Sequence, residues 1–240
     1  VRGRVVPGSI VWLDGRELRV SGEGQFVFGF GRDARPRAEL MVRHPDGQED
    51  RRTLEVGART YRIQRIDGLP PRQVTPSEQD LARIEAEAAL IEMAKSRNSA
   101  ALGFTQELTW PARGRISGIY GSQRILNGEP RAPHRGIDVA APAGTPVAAM
   151  AGGVVSLAEP DLYFTGGTVV VDHGHGLHSI YAHMREVLVE VGQSVARGAP
   201  LGTVGATGRA TGPHLHWGVY WFDEALDPAL LVGPMPESLG

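Results

Sequence analysis

The segment TGPHLHWGV places His214 and His216 one residue apart in a stretch that reads as a buried β-strand. Successive strand side chains point to opposite faces, so the two imidazoles share one face with Cβ atoms roughly 6–7 Å apart, and Leu215 and Trp217 face the other way. Such a pair also arises as two locally hydrogen-bonded core or surface histidines, so other residues must decide between the readings. PHRGID supplies His134 and Asp138, with Gly136 between them. In a straight strand positions i and i+4 lie roughly 13 Å apart, too far to share an ion, whereas a turn or bulge at the glycine brings both inward. Two histidines and one carboxylate with an open fourth position are a recurring catalytic zinc site, which holds a water and lowers its pKa toward neutrality. Three of the four residues in these motifs suffice, and the spare histidine then sits beside the metal. YAHM offers a further histidine, His183, at the end of a strand two residues after Tyr181. The chemistry is hydrolysis of an amide by metal-held water with histidine assistance.

Seven of the eight histidines fall between residues 134 and 216, and only His44 lies outside. Glycines around His173, His175 and His178 in DHGHGLHSIYAH predict a hairpin turn that carries His175 and His178 away from the sheet face, into solvated or structural roles. His173, at the end of the GTVVVD strand, is expected nearer the site. His44 precedes Pro45 and Asp46 and reads as a turn residue. Trp217, Tyr220 and Trp221 alternate as core residues do. Glu224 and Asp227 read as surface or capping groups, and Arg124 and Asn127 as turn formers or substrate contacts in a loop before His134.

These residues need a scaffold, and the 240-residue chain can build one large domain or an ordinary domain with a small one. Its 32 glycines and 17 prolines favour tight turns and short strands, hence a mainly β fold. The absence of cysteine excludes disulfides and thiolate metal sites, so a zinc here needs His and carboxylate ligands. With 25 Lys plus Arg against 27 Asp plus Glu there is no electrostatic footprint for nucleic acid. No apolar run reaches the ~18 residues of a membrane-spanning helix. The chain starts at Val1, as a chain whose leader or anchor has been removed, or a trimmed one, would.

Residues 1–70 hold short alternating runs (SIVWLDG, RELRVSG, GQFVFGF, AELMVRH) between turn signals such as Asp14-Gly15 and Asp46-Gly47, which is a small all-β module. Binding, orientation or scaffolding is expected from it rather than chemistry. Residues 71–100 form a proline-rich linker and a helix opened by a capping box at Thr75, Pro76 and Glu78. Leu81, Ile84, Ala88 and Ile91 are expected to dock on a β-domain, with an end near Arg97 and Asn98. Residues 101–232 read as a glycine-rich β-domain carrying the site, and residues 233–240 as a tail. A tether of about 30 residues would hold module and helix near the site, where they could restrict access.

PHRGID, YAHM and TGPHLHWGV, in this order and spacing, resemble the three signature segments of the lysostaphin-like, or LytM-type, zinc metallopeptidases. The likeness extends through AAPAGTPVAAMAGGVV and VGQSVARGAPLGTVGATGRATGPHLH, covering roughly residues 104–222. It implies a groove on an antiparallel β-sheet and cleavage of cross-bridges or stem peptides in bacterial peptidoglycan. It further implies one Zn2+ ion held by His134, Asp138 and His216, catalytic roles for His183 and His214, and an extracytoplasmic location, the periplasm or cell envelope first and secretion second. Some relatives lack ligands and activate other cell-wall enzymes. A non-catalytic peptidoglycan-binding or activator protein is therefore the alternative, disfavoured by all five positions being intact. A zinc hydrolase of some other peptide shares every residue named.

Overall fold

The computed structural model describes residues 1–66, 78–126 and 128–235. The predicted linker, Thr75, Pro76, Asn127 and residues 236–240 lie outside these. The chain is mainly β, as its composition implies. The first seven strands are β1 (Arg2–Arg4), β2 (Ile10–Leu13), β3 (Arg16–Leu18), β4 (Gln25–Val27), β5 (Arg37–Arg43), β6 (Glu49–Glu55) and β7 (Ile63–Ile66). Leu13 pairs with Arg16, so Asp14 and Gly15 make a two-residue hairpin turn with φ of 47° and 81°. That left-handed conformation is what an Asp-Gly pair tolerates best. Strands β3-β2-β5-β6 form one antiparallel sheet, and β1 pairs with β4.

Helix α1 (Glu78–Lys95) follows. The remaining strands are β8 (Arg115–Gly118), β9 (Gln123–Leu126), β10 (Glu129–Pro130), β11 (Ile137–Ala140), β12 (Pro146–Ala148), β13 (Gly153–Leu162), β14 (Gly166–Asp172), β15 (Leu177–Val187), β16 (Ser194–Val195), β17 (Pro200–Val204), β18 (His214–Trp221) and β19 (Glu224–Leu226). The main sheet runs β16-β13-β14-β15-β18-β11-β8, with β19 on β18 and β17 joining β12 to β15. All its pairings are antiparallel. Outside this sheet, β7 pairs in parallel with β9, tying the end of the module to the segment before His134.

The sheet's two faces have different tasks. Leu215, Trp217, Val219, Val139, Val169 and Tyr181 are wholly buried on one face, in a cluster that also contains Val11, Phe26 and Phe28 of the module. Module and main sheet thus share a core. Strand alternation directs His214, His216 and Tyr220 to the opposite face. There Tyr220, Ile180, Val170, Leu157 and Leu162 cluster with Ala94 of α1, so the helix covers one end of the face that carries the histidines.

The docking stripe of α1 differs from the expected one. Leu81 is 42% exposed and Ala88 is also exposed. Ile84, Glu87, Ile91, Ala94 and Lys95 face the sheet instead. Two of these are polar and are invisible to an apolar pattern. Glu87 accepts a hydrogen bond from the Tyr163 amide (2.6 Å), and Lys95 is buried with its ammonium 4.3 Å from the centre of the Tyr220 ring and 2.7 Å from Glu92.

Candidate active site

Asp138 and His216 stand directly opposite each other in the β11–β18 register, as do Ala140 and His214. His134 precedes β11, and the chain between it and Asp138 passes over Gly136 with no room for a side chain. A Cβ there would lie 2.9 Å from His216 Cε1 and 2.5 Å from the Trp217 carbonyl. Gly118, opposite Asp138 on β8, is required for the same reason: a Cβ would come within 2.2 Å of Asp138 Oδ2.

The result is a triangle of ligand-type atoms. His134 Nε2 lies 3.0 Å from Asp138 Oδ1 and 3.0 Å from His216 Nδ1, and His216 Nδ1 lies 2.9 Å from Asp138 Oδ1. Three ligands at ~2.0–2.1 Å from a tetrahedral zinc stand about 3.3 Å apart, so the triangle approximates one face of such a site. His134 Nδ1–H donates to the Ile119 carbonyl (3.0 Å), which turns the lone pair of Nε2 toward the triangle. Burial works against ionisation of Asp138, but the hydrogen bonds and charges of His134 and His216 outweigh it and hold the carboxyl well below the usual carboxylate range. Burial likewise lowers the pKa of His216, which favours the neutral form in which an imidazole binds a metal. The side chains of His134, Asp138 and His216 remain 17–24% exposed, so the triangle is open to solvent on one side.

His183 and His214 flank the triangle. Their rings lie 4.7 Å apart, and the His183 ring is 6.2 Å from that of His216. His214 Nε2 is 3.9 Å from Asp138 Oδ1. Each gives its Nδ1–H to a backbone carbonyl, His183 to Thr207 (2.9 Å) and His214 to Gly212 (2.8 Å), which leaves both Nε2 atoms unprotonated when the rings are neutral. Burial lowers His183 to about 4, so it is neutral at physiological pH.

His183 lies within β15 rather than at a strand end. Alternation from Tyr181, which faces the core, would send His183 to the core as well. Gly167 pairs with Met184 and Val169 with Tyr181, so β15 carries one extra residue, and His183 takes φ = 62°. This β-bulge turns His183 back onto the side of His214 and His216. Thr207 holds it in place: its hydroxyl donates to the Met184 carbonyl (2.8 Å) and accepts from the Gly167 amide (2.9 Å). Thr207, Ile119 and Gly212 are functional residues that sequence reasoning missed. The last two act solely through carbonyl groups, so residue type gives no signal. Thr207 precedes a glycine with φ = 65°, the mark of a tight turn and its one legible clue.

The other histidines stand apart. His178 pairs with Tyr220, whereas Ala182 pairs with His216, four residues further along β15. His173, His175 and His178 are all buried, so of the solvated or structural roles expected for His175 and His178 the structure shows the structural one, while His173 lies away from the site it was expected to adjoin. The segment following α1 covers their turn: the His175 amide bonds to the Ser99 carbonyl (2.9 Å), and the His175 ring packs 4.4 Å from Phe104. His173 bridges the Gly152 carbonyl (2.8 Å) and Ser179 Oγ (2.7 Å). Trp217, Tyr220 and Trp221 are core residues as expected. Asp227 caps the turn at Pro228–Leu230 and pairs with Arg59. Glu224 is exposed. Arg124 belongs to β9 rather than to a loop. His44 pairs with Asp50 across the β5–β6 hairpin.

Comparison with known proteins agrees with this arrangement. The Peptidase family M23 profile matches residues 132–228. Peptidoglycan DD-endopeptidase ShyA of Vibrio cholerae is 43% identical over 104 residues, which are 43% of this chain and 24% of that protein. Peptidoglycan DD-endopeptidase ShyC of the same organism is 39% identical over 127 residues, 52% of this chain and 29% of that protein. The match thus spans about a quarter of the length of these curated relatives. The crystal structure of a Pseudomonas aeruginosa protein assigned to peptidase M23 superposes with a TM-score of 0.73 at 35% identity, over 96% of this chain and 90% of that one. With near-complete coverage at that identity, and the histidine and aspartate motifs inside the matched segment, the chain belongs to peptidase family M23, the LytM-type peptidases.

Proposed function

We propose that the chain is a zinc-dependent endopeptidase that hydrolyses peptide bonds in the cross-links or stem peptides of bacterial peptidoglycan, acting in the periplasm or elsewhere in the cell envelope. The observation that carries this reading is the 2.9–3.0 Å triangle of His134 Nε2, Asp138 Oδ1 and His216 Nδ1, with two further imidazoles beside it. Two nitrogens and one carboxylate oxygen suit zinc, and the side-chain carbonyls and multiple carboxylates that calcium requires are absent from the cluster. The curated relatives' names supply the substrate class.

When bound, zinc supplies Lewis-acid polarisation of the scissile carbonyl and acidifies water. The chain's residues do the rest. His183 Nε2, neutral and fixed by Thr207, accepts the proton of the attacking water and returns it to the departing amine. His214, its ring held through Nδ1–H on the Gly212 carbonyl, donates from Nε2 to the oxygen on which charge develops when that nitrogen also carries a proton. The backbone carbonyls that fix these rings remove the cost of orienting them during reaction.

Zinc-replete protein incubated with purified cell wall is expected to release new amino termini, and the protein treated with a chelator none. No new termini across walls of several cross-bridge chemistries would replace this reading with that of a binding or activator protein.

A further inference from the structure

Between the module and the metal-binding end of the sheet lies a cleft of about 570 Å3, within the ~300–1,000 Å3 range of ligand sites. One wall comes from the β2–β3 turn and residues 29–38, the other from residues 120, 133–135 and 221–225. His134 belongs to this lining and also to the ligand triangle, so the cleft adjoins the triangle at that residue.

The charges in the cleft divide into two groups. Arg32 is committed to Asp33 (2.7 Å) and to the Gly121 carbonyl (2.9 Å), and Arg37 to Glu55 (3.0 Å). By contrast, Arg35 has no ion-pair partner among the described residues, and Arg16 only stacks on the Trp221 and Phe222 rings. Asp223 and Glu224 likewise have no cationic partner among the described residues. The cleft thus offers two uncommitted guanidinium groups and two uncommitted carboxylates. Its walls are fixed against each other by close contacts. A Cβ on Gly29 would lie 2.4 Å from the Leu226 side chain, and one on Gly31 would lie 2.1 Å from Glu224 Oε2. Only glycines allow the module backbone to approach so closely.

We propose that this cleft binds the arm of the peptide substrate that carries both a free carboxylate and a free ammonium group, the carboxylate on Arg16 and Arg35 and the ammonium on Asp223 and Glu224. Guanidinium groups bind carboxylates through paired, charge-assisted hydrogen bonds, and a preformed cleft spares the ordering cost of binding. The proposal rests on the peptidase reading and gives the module a task in it: the module supplies one wall of a specificity site.

The test uses the full zinc-loaded chain and a synthetic stem pentapeptide with its glutamate carboxylate and lysine amine free. Calorimetric titration compares it with the same peptide amidated at the carboxylates or acetylated at the amine. Each cap is expected to weaken binding about tenfold, the scale of one charge-assisted hydrogen bond in a ligand site. Arg35→Glu is expected to weaken the free peptide about tenfold and to abolish the effect of amidation, and Asp223→Lys to do the same for acetylation. Zinc content and Tm should stay unchanged in both variants. Equal affinity for free and capped peptides, or unchanged affinity in both variants, overturns the proposal. Cell-wall digestion is run in parallel. Digestion with cap-insensitive binding removes the cleft proposal and leaves the peptidase reading intact. Cap-sensitive, Arg35-dependent binding without digestion supports the cleft and removes the peptidase reading, and absence of both removes both.

Discussion

His214 and His216 stand two residues apart on β18, yet their nitrogens have different obligations. His216 points Nδ1 into the ligand triangle, whereas His214 spends Nδ1 on the Gly212 carbonyl and brings Nε2 only to 3.9 Å from Asp138. His216→Ala is therefore expected to lose both activity and most bound zinc, because a site reduced to two ligands holds the ion poorly. His214→Ala is expected to keep about one zinc per chain and lose on the order of 10²–10⁴ in rate, the contribution of a positioned acid or base. His44→Ala, paired with Asp50 on the exposed β5–β6 hairpin, serves as the control. His175, buried against Phe104, would confound such a comparison with stability loss. Metal content and cell-wall digestion on the three purified variants decide it, and zinc lost from His214→Ala but retained in His216→Ala would reverse the roles. At this scale type and spacing offered His134, Asp138, His214 and His216 as candidates, and the resemblance to the LytM-type peptidases, not spacing, singled out His134, Asp138 and His216. What could not be read were the carbonyl groups of Ile119 and Gly212, because every residue carries one.

Three elements show where pattern reading stops. On β18 the two-residue period predicts both faces correctly. On β15 the same rule would bury His183, and only the bulge, fixed by Thr207 from a distant turn, restores it to the site. For α1 the apolar positions predict a helix, but Glu87 and Lys95 shift its buried stripe away from Leu81 and Ala88. For the histidines of the β14–β15 turn both solvated and structural roles were open, and the stretch after α1 seals the turn and makes them structural, which no local signal reveals. That burial has a measurable effect on stability. Burial holds His173 near a pKa of about 4 in the fold and also lowers His175 and His178, whereas an unfolded chain takes up these protons near 6.5. The unfolded state therefore binds more protons between these values, and stability present above about pH 6.5 is lost as pH falls toward 4. For His173 alone the loss is about 3 kcal/mol. Unfolding of the chelated protein, followed against pH, should show this decline, and His173→Gln should flatten it. An unchanged slope in the variant would assign the decline to other groups.

For the molecule as a whole, the sequence divides at about residues 70 and 100, and the packing runs across that division. Val11, Phe26 and Phe28 share a buried cluster with Trp217, Val219 and Leu226, and Arg2 reaches the carbonyl groups of Thr105 and Gln106. Such contacts join compositionally distinct segments and leave no trace in either one. The chain is expected to unfold in one calorimetric transition, and two well-separated transitions would show that the module is independent. Removing residues 1–100 would uncover Leu226 and Trp221, so any gain in access to the groove would have to be weighed against a lower Tm. The β11–β18 pairing has a kinetic consequence as well. It brings together Asp138 and His216, 78 residues apart in sequence, so the ligand triangle exists only after most of the main sheet has assembled. Closing contacts of such long range is slow, and the ion finds its partners after the rate-limiting barrier rather than before it. Saturating zinc should accordingly slow unfolding severalfold while leaving the refolding rate nearly untouched, so that the metal acts as a latch on the finished sheet and not as its nucleus. Stopped-flow measurements with and without the ion read the two limbs separately.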